Sequence, residues 1–135
     1  MTRWLGVWDL VPELCHYDIG QPPVSGRYAI DRDGAQIRFT IDWTDADGQS
    51  FHTGFAAPAD GTMVESDAPG VESFSVTAES DRVLSSEARM AGNRSQIATR
   101  RVSADGTTMS VLMRLPTPDG GENSVFQVYR RADDA

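Results

Sequence analysis

The sequence predicts an all-β protein: an antiparallel up-and-down barrel of about ten strands with little helix. Three observations predict it. Turn punctuation recurs along the chain, with Asp-Gly pairs at Asp33-Gly34, Asp47-Gly48, Asp60-Gly61, Asp105-Gly106 and Asp119-Gly120, and weaker signals at Pro69-Gly70, Ser80-Asp81 and Gly92-Asn93. The turns lie about 9 to 14 residues apart, which is strand spacing and leaves little room for helices. Between them apolar and polar residues alternate with period two, giving each strand one dry and one wet face.

The elements follow in order. A first strand lies near residues 3–11. Residues 12–24 break the rhythm, contain Pro22-Pro23, and hold at most a short helix. Nine strands follow from residue 25 onward. Tyr28 and Ile30 alternate with Arg27, Ala29 and Asp31; Ile37, Phe39, Ile41 and Trp43 alternate with Gln36, Arg38, Thr40 and Asp42. Phe51, Thr53 and Phe55 oppose His52 and Gly54, and Phe74, Val76 and Ala78 oppose Ser73, Ser75 and Thr77. Met109, Val111, Met113 and Leu115 face away from Ser110, Leu112 and Arg114. Asp-Gly suits the joins because both residues tolerate the positive φ of tight hairpin turns. Short joins imply a meander, with residues 116–123 as a longer, flexible hairpin tip. Residues 1–135 read as a single domain, long enough to bury about two-thirds of its unfolded surface without disulfides or structural metal.

Composition excludes several function classes. The chain carries 12 basic residues against 20 acidic ones, a net charge of −8, and every basic residue is arginine. Without lysine there is no Schiff-base nucleophile and no Walker-type phosphate loop. An acidic chain repels phosphate backbones, so nucleic acid is not an expected partner. Cys15, the one cysteine, has no partner for an intramolecular disulfide. The start, Trp4-Leu5-Gly6-Val7-Trp8 interrupted by Asp9, is too short for a signal peptide, and no stretch approaches the ~20 apolar residues of a membrane span. A soluble cytoplasmic protein is the expectation, and the Arg, Ala, Asp and Gly content resembles that of a GC-rich bacterial genome.

Gly6-Val7-Trp8 on the first strand, a ten-strand meander, and the closing Val125-Phe126-Gln127-Val128-Tyr129-Arg130 together resemble the calycin superfamily. Lipocalins and the intracellular fatty-acid- and retinoid-binding proteins share the opening Gly-x-Trp. The resemblance implies that Trp8 packs at the closed end of the barrel. Thr99-Arg100-Arg101-Val102, the Ala104-Asp105-Gly106 turn and Thr108-Met109-Ser110-Val111 are similar to the penultimate hairpin of the intracellular lipid-binding proteins. Gln127-Val128-Tyr129 stands where fatty-acid binders carry Arg-x-Tyr, and glutamine there resembles the retinol-type members with a neutral headgroup. By that similarity Arg100, Gln127 and Tyr129 point inward to meet the polar end of a ligand. Eukaryotic members carry a helix-turn-helix lid after the first strand. Residues 12–24 are too few for it, so the resemblance is to a bacterial member lacking the lid.

The candidate ligand-binding residues are Arg100, Gln127 and Tyr129, with Phe39, Ile41, Phe55, Met109 and Met113 as apolar wall. A few fixed polar groups in an apolar cavity orient a ligand, and a buried arginine without an acid calls for a carboxylate, a carbonyl or water. Periodicity alone also allows the inverse facing, with Phe126 and Val128 inside and Gln127, Tyr129 and Arg101 in solvent. Cys15-His16-Tyr17-Asp18 is chemically loaded, but sequence neighbours rarely meet productively, and it reads as an ordinary polar loop at the barrel mouth. His52 should face outward. Two histidines and one cysteine do not make a zinc site, and neither haem nor any other cofactor is implied. Glu65, Glu87 and Arg89 fall on segments of weak alternation and could lie inside; with Leu84, Ala88 and Met90 inward, Glu87 and Arg89 read as a solvated outer face, and Asp42 with Arg38 as a surface pair.

The function expected is intracellular binding of a small hydrophobic or amphipathic ligand of lipid, fatty-acid or isoprenoid type. Two alternatives stand beside it. One is an isomerase, hydratase or cyclase in the same barrel, with Tyr129 as acid, Arg100 stabilising an oxyanion, and a carboxylate or His16 as base. The other is an interaction module with a filled core. An edge strand left open by an incomplete barrel could pair with a second copy, so a homodimer is a further expectation.

Overall fold

The computed structural model describes residues 2–67, 70–91 and 94–132. Its strands are β1 (Gly6–Leu10), β2 (His16–Tyr17), β3 (Ser25–Asp33), β4 (Gln36–Thr44), β5 (Ser50–Pro58), β6 (Val64–Glu65), β7 (Val71–Ala78), β8 (Val83–Met90), β9 (Arg94–Val102), β10 (Thr108–Pro116) and β11 (Glu122–Arg131). A one-turn 3-10 helix, Pro12–Leu14, is the helical element among the described residues. Every pairing is antiparallel, in the order β5-β4-β3-β1-β11-β10-β9-β8-β7-β6, with β2 added beside β11. Ten strands make the expected up-and-down barrel. The eleventh, β2, is a surprise from the segment expected to be loop.

The alternation places the core as expected. Ile30, Ile37, Phe39, Val76, Leu84, Met109 and Val111 are fully buried, while most of their strand neighbours are half-buried or exposed, the buried Ser75 beside Val76 excepted. Each of the five Asp-Gly pairs sets its glycine at a φ between 62° and 87°. Pro69 and the Gly92-Asn93 turn lie outside the described residues.

The barrel closes at one end only. The sheet's two edges, β5 and β6, do not pair. Just beyond β5, the amide of Gly61 donates to Val76 O and that of Ala78 to Ala59 O, which ties the segment after β5 to β7 at the end holding the β7–β8 turn. Trp4 and Trp8 plug that end, both without solvent exposure. The Trp8 indole N–H donates to Trp4 O, the Trp4 indole to Ser80 O, and the Arg131 guanidinium lies 4.1 Å over the Trp8 ring. Gly6 is required here: its φ is 131°, and a Cβ would lie 2.6 Å from Arg131 Nη1.

One outer row carries alternating charge. Arg130, Asp9, Arg27, Asp42 and His52 stand opposite one another across β11, β1, β3, β4 and β5. Arg27 pairs with Asp9 at 2.9 Å and His52 with Asp42 at 2.5 Å. This corrects the pairing expected from the sequence. Asp42 and Arg38 point the same way but lie four residues, about 13 Å, apart along β4, so Arg38 bonds Asp33 instead.

Candidate functional site

The barrel interior is not filled. It holds a cavity of about 870 Å³ that opens between the unpaired edges, with Thr53, Gly54, Phe55 and Ala56 of β5 on one side and Glu65, Val71 and Phe74 on the other. A filled core, one of the alternatives above, is thereby excluded. The size falls in the roughly 300–1,000 Å³ range of small-molecule sites.

Arg100, Gln127 and Tyr129 all line this cavity and all are buried. The inverse facing of β11 does not occur. Register explains why: Gln127 and Tyr129 pair with Val111 and Met109, whose inward direction is fixed by the core, so Phe126 is carried outward opposite Leu112. Period two then sets the whole strand.

Two hydrogen-bond networks organise the polar end. Arg100 Nε donates to the Tyr28 hydroxyl at 2.8 Å and Nη1 to Ser86 Oγ at 3.0 Å. Its guanidinium carbon lies 4.7 Å from the Phe39 ring and 5.6 Å from Tyr28, so aromatic faces share the cost of holding a cation away from water. Among the described residues no carboxylate pairs with it. In the second network the Tyr129 hydroxyl donates to Gln127 Oε1 at 3.0 Å, and Gln127 Nε2 donates to the Tyr17 hydroxyl at 2.6 Å. Burial pushes the Tyr129 phenol far above its usual range, reinforced by the neighbouring Tyr28 and Tyr17 and opposed by Arg100. The Tyr17 phenol is raised in the same way, again chiefly by burial.

The apolar candidates divide. Ile41, Phe55 and Met113 line the cavity. Phe39 and Met109 lie behind its wall, fully buried. Phe39 nevertheless serves the site, because it stacks on Phe55 at 4.6 Å and lies against the Arg100 guanidinium.

Sequence reasoning missed Tyr17, Tyr28 and Ser86 as polar members of the site. Tyr28 was legible as an inward residue, but its service to Arg100 is a contact between residues 72 positions apart. Tyr17 belongs to the run Cys15–Asp18, where two strand residues are too few to show alternation. Its neighbours stay outside: His16 is exposed beside Asp18, and the half-buried Cys15 thiol, raised by burial, donates to Val11 O. Among the described residues no group of three or more His, Cys, Asp or Glu could hold a metal ion, and no helix is long and apolar enough to cross a membrane.

Comparison with solved structures decides the fold. The chain superposes on a mutant of the fluorescent protein UnaG with a TM-score of 0.66 at 15% identity, covering 98% of both chains. It superposes on the lipid binding protein LBP-8 of Caenorhabditis elegans with a TM-score of 0.62 at 14% identity, covering 98% of this chain and 97% of that one. The chain thus shares the antiparallel β-barrel fold of these two proteins. No protein-family model matches the chain, and no curated protein matches it by sequence. Where the resemblance leads one to look for a helical lid, this barrel has the 3-10 turn and β2. That short strand lies along β11 and is tied to it by Asp18, which bonds Ser124 through both backbone and side chain.

Proposed function

We propose that this calycin barrel binds a small hydrophobic ligand of lipid, fatty-acid or isoprenoid type, head inward, with an acceptor-rich head such as a carboxylate at Arg100. The observation that carries the reading is an arginine only 3% exposed that lines a large apolar-walled cavity and has no carboxylate partner among the described residues. Nε and Nη1 are spent on Tyr28 and Ser86, while Nη2 donates to no protein group among the described residues. The Tyr28 and Ser86 hydroxyls accept from Arg100, which leaves their own protons to donate into the cavity. Donors therefore outnumber acceptors, which favours a carboxylate or carbonyl over the neutral alcohol that Gln127 first suggested.

Apolar burial supplies affinity at about 25 cal/mol per Å², and the fixed donors supply orientation. An enzyme in the same barrel has less support. The Tyr129 hydroxyl is engaged as a donor to Gln127 Oε1, burial raises its pKa, and His16 is exposed outside the cavity. The reading also places the protein in the cytoplasm, in keeping with its acidic surface and single thiol.

Displacement of an apolar fluorescent dye by dodecanoate, beside native mass spectrometry of the purified protein, tests the proposal. Displacement at micromolar dodecanoate and a copurifying amphiphile are expected. A protein that takes up no dye and no carboxylate would overturn it.

A further inference from the structure

The charges lining the cavity are not evenly placed. Arg100 is its one cation among the described residues, against Asp42, Asp45, Glu65, Asp67 and Glu87. Asp42 is hydrogen-bonded to His52, and Glu87 pairs with Arg89. The other three, Asp45, Glu65 and Asp67, pair with no cation among the described residues. Asp45 starts the β4–β5 turn, where its Oδ1 accepts from the amides of Asp47 and Gln49. Glu65 and Asp67 are exposed, on β6 and just after it, beside the unpaired edge of β5. All three belong to the open end. Arg100 belongs to the other: it pairs with Val111 and Leu84, near the end plugged by the tryptophans. From Arg100 to Gln96, the last β9 residue lining the cavity, is four residues, about 13 Å of strand.

We propose that this polarity makes the cavity a filter for ligand charge: it admits a chain with one anionic head, led inward to Arg100, and rejects a chain whose far end carries a second negative charge. The inference deepens the reading above and rests on it. The physical cause is the field at the mouth. A carboxylate at the far end of a bound chain would stop among Asp45, Glu65 and Asp67, where like charges repel through a partly excluded solvent. An uncharged end meets no such field, and an ammonium end is attracted by it. The same field discourages a fatty acid from binding tail-first, with its carboxylate left at the mouth. The ligand class is therefore a monoanionic amphiphile with a neutral or cationic far end, and dicarboxylates are excluded.

Three probes of one chain length test this: dodecanoate, dodecanedioate and 12-aminododecanoate, each displacing the same apolar dye at low and at high salt. At low salt dodecanedioate should bind about fivefold or more weakly than dodecanoate, and 12-aminododecanoate at least as tightly as dodecanoate. High salt should narrow the spread. The double variant Glu65→Gln, Asp67→Asn should narrow the dodecanoate-to-dodecanedioate ratio by about twofold or more, since two of the three unpaired charges are then gone and Asp45 remains. Equal binding of dodecanoate and dodecanedioate at low salt would overturn the filter. So would a gap that persists unchanged in high salt and in the double variant, because desolvation of the second carboxylate alone would then explain it. If dodecanoate displaces the dye but the ratio is flat, the filter fails and the binding reading stands. If no probe displaces the dye, the binding reading itself falls.

Discussion

Arg100 concentrates the tension between stability and function in one side chain. Burying a guanidinium without a carboxylate costs more than neutral hydrogen bonds and aromatic faces return. Replacing it by an apolar side chain of similar length should relieve that cost. We expect Arg100→Met to fold with unchanged cooperativity and to be as stable as the parent or up to about 2 kcal/mol more stable, measured by urea denaturation. The same variant should lose at least tenfold in affinity for dodecanoate, measured by dye displacement. A strongly destabilised variant would mean that the arginine is a structural strut and not a ligand anchor. At this scale the sequence was legible where the core fixed direction: Ile41, Phe55 and Met113 reach the cavity because their strands alternate cleanly. It was ambiguous at Gln127 and Tyr129, because Phe126 and Val128 are the more apolar pair and only the register with β10 decides between them. It was silent on Tyr17, whose part depends on a two-residue strand meeting a residue 110 positions away.

At the scale of elements, turns and the plugged end determine how the strands are held. In the β9–β10 turn, Asp105 Oδ1 accepts from Ser103 Oγ, from Thr107 Oγ1 and from the Thr107 amide. These bonds, led by the Ser103 hydroxyl, hold its carboxyl down to about 2, below the usual 3.8. The folded state thus binds that proton less readily than the unfolded chain. The turn's contribution is complete above the unfolded value and is lost as pH falls from about 4 towards 2. Asp105→Asn should flatten that part of the acid limb of a stability-versus-pH curve, and an identical limb in the variant would remove Asp105 from the account. The plug should respond differently. Trp8 is fully buried beneath Arg131 and bonded to Trp4, so Trp8→Ala should cost about 3–5 kcal/mol in urea denaturation at neutral pH. The Gly-x-Trp and Asp-Gly signals made both elements readable in advance, because a positive φ and a large buried ring are local demands. The stacking of Arg131 on Trp8 was not readable, since it joins residues near opposite ends of the chain.

At the scale of the whole molecule, the barrel is a closed base with an open seam. The unpaired edges of β5 and β6 give up ladder hydrogen bonds, and the cavity gives up packing that a filled core would supply. The Phe55 and Phe74 rings already meet edge-to-face across the seam at 5.1 Å, and a ligand that packs on both reinforces that side-chain bridge between strands whose backbones do not pair. Binding to the folded barrel alone stabilises it by mass action, about 2.7 kcal/mol at a free concentration one hundred times Kd. For a chain of this size that corresponds to a Tm increase of roughly 10 °C. We expect dodecanoate to raise Tm by that order in the parent and by much less in Arg100→Met. Amide exchange in β5 and β7 should slow by more than in β3 and β4, whose ladders are complete without ligand. Uniform slowing across all four strands would show that the ligand stabilises the barrel only as a unit. Protection concentrated at β5 and β7 would show that it also closes the seam.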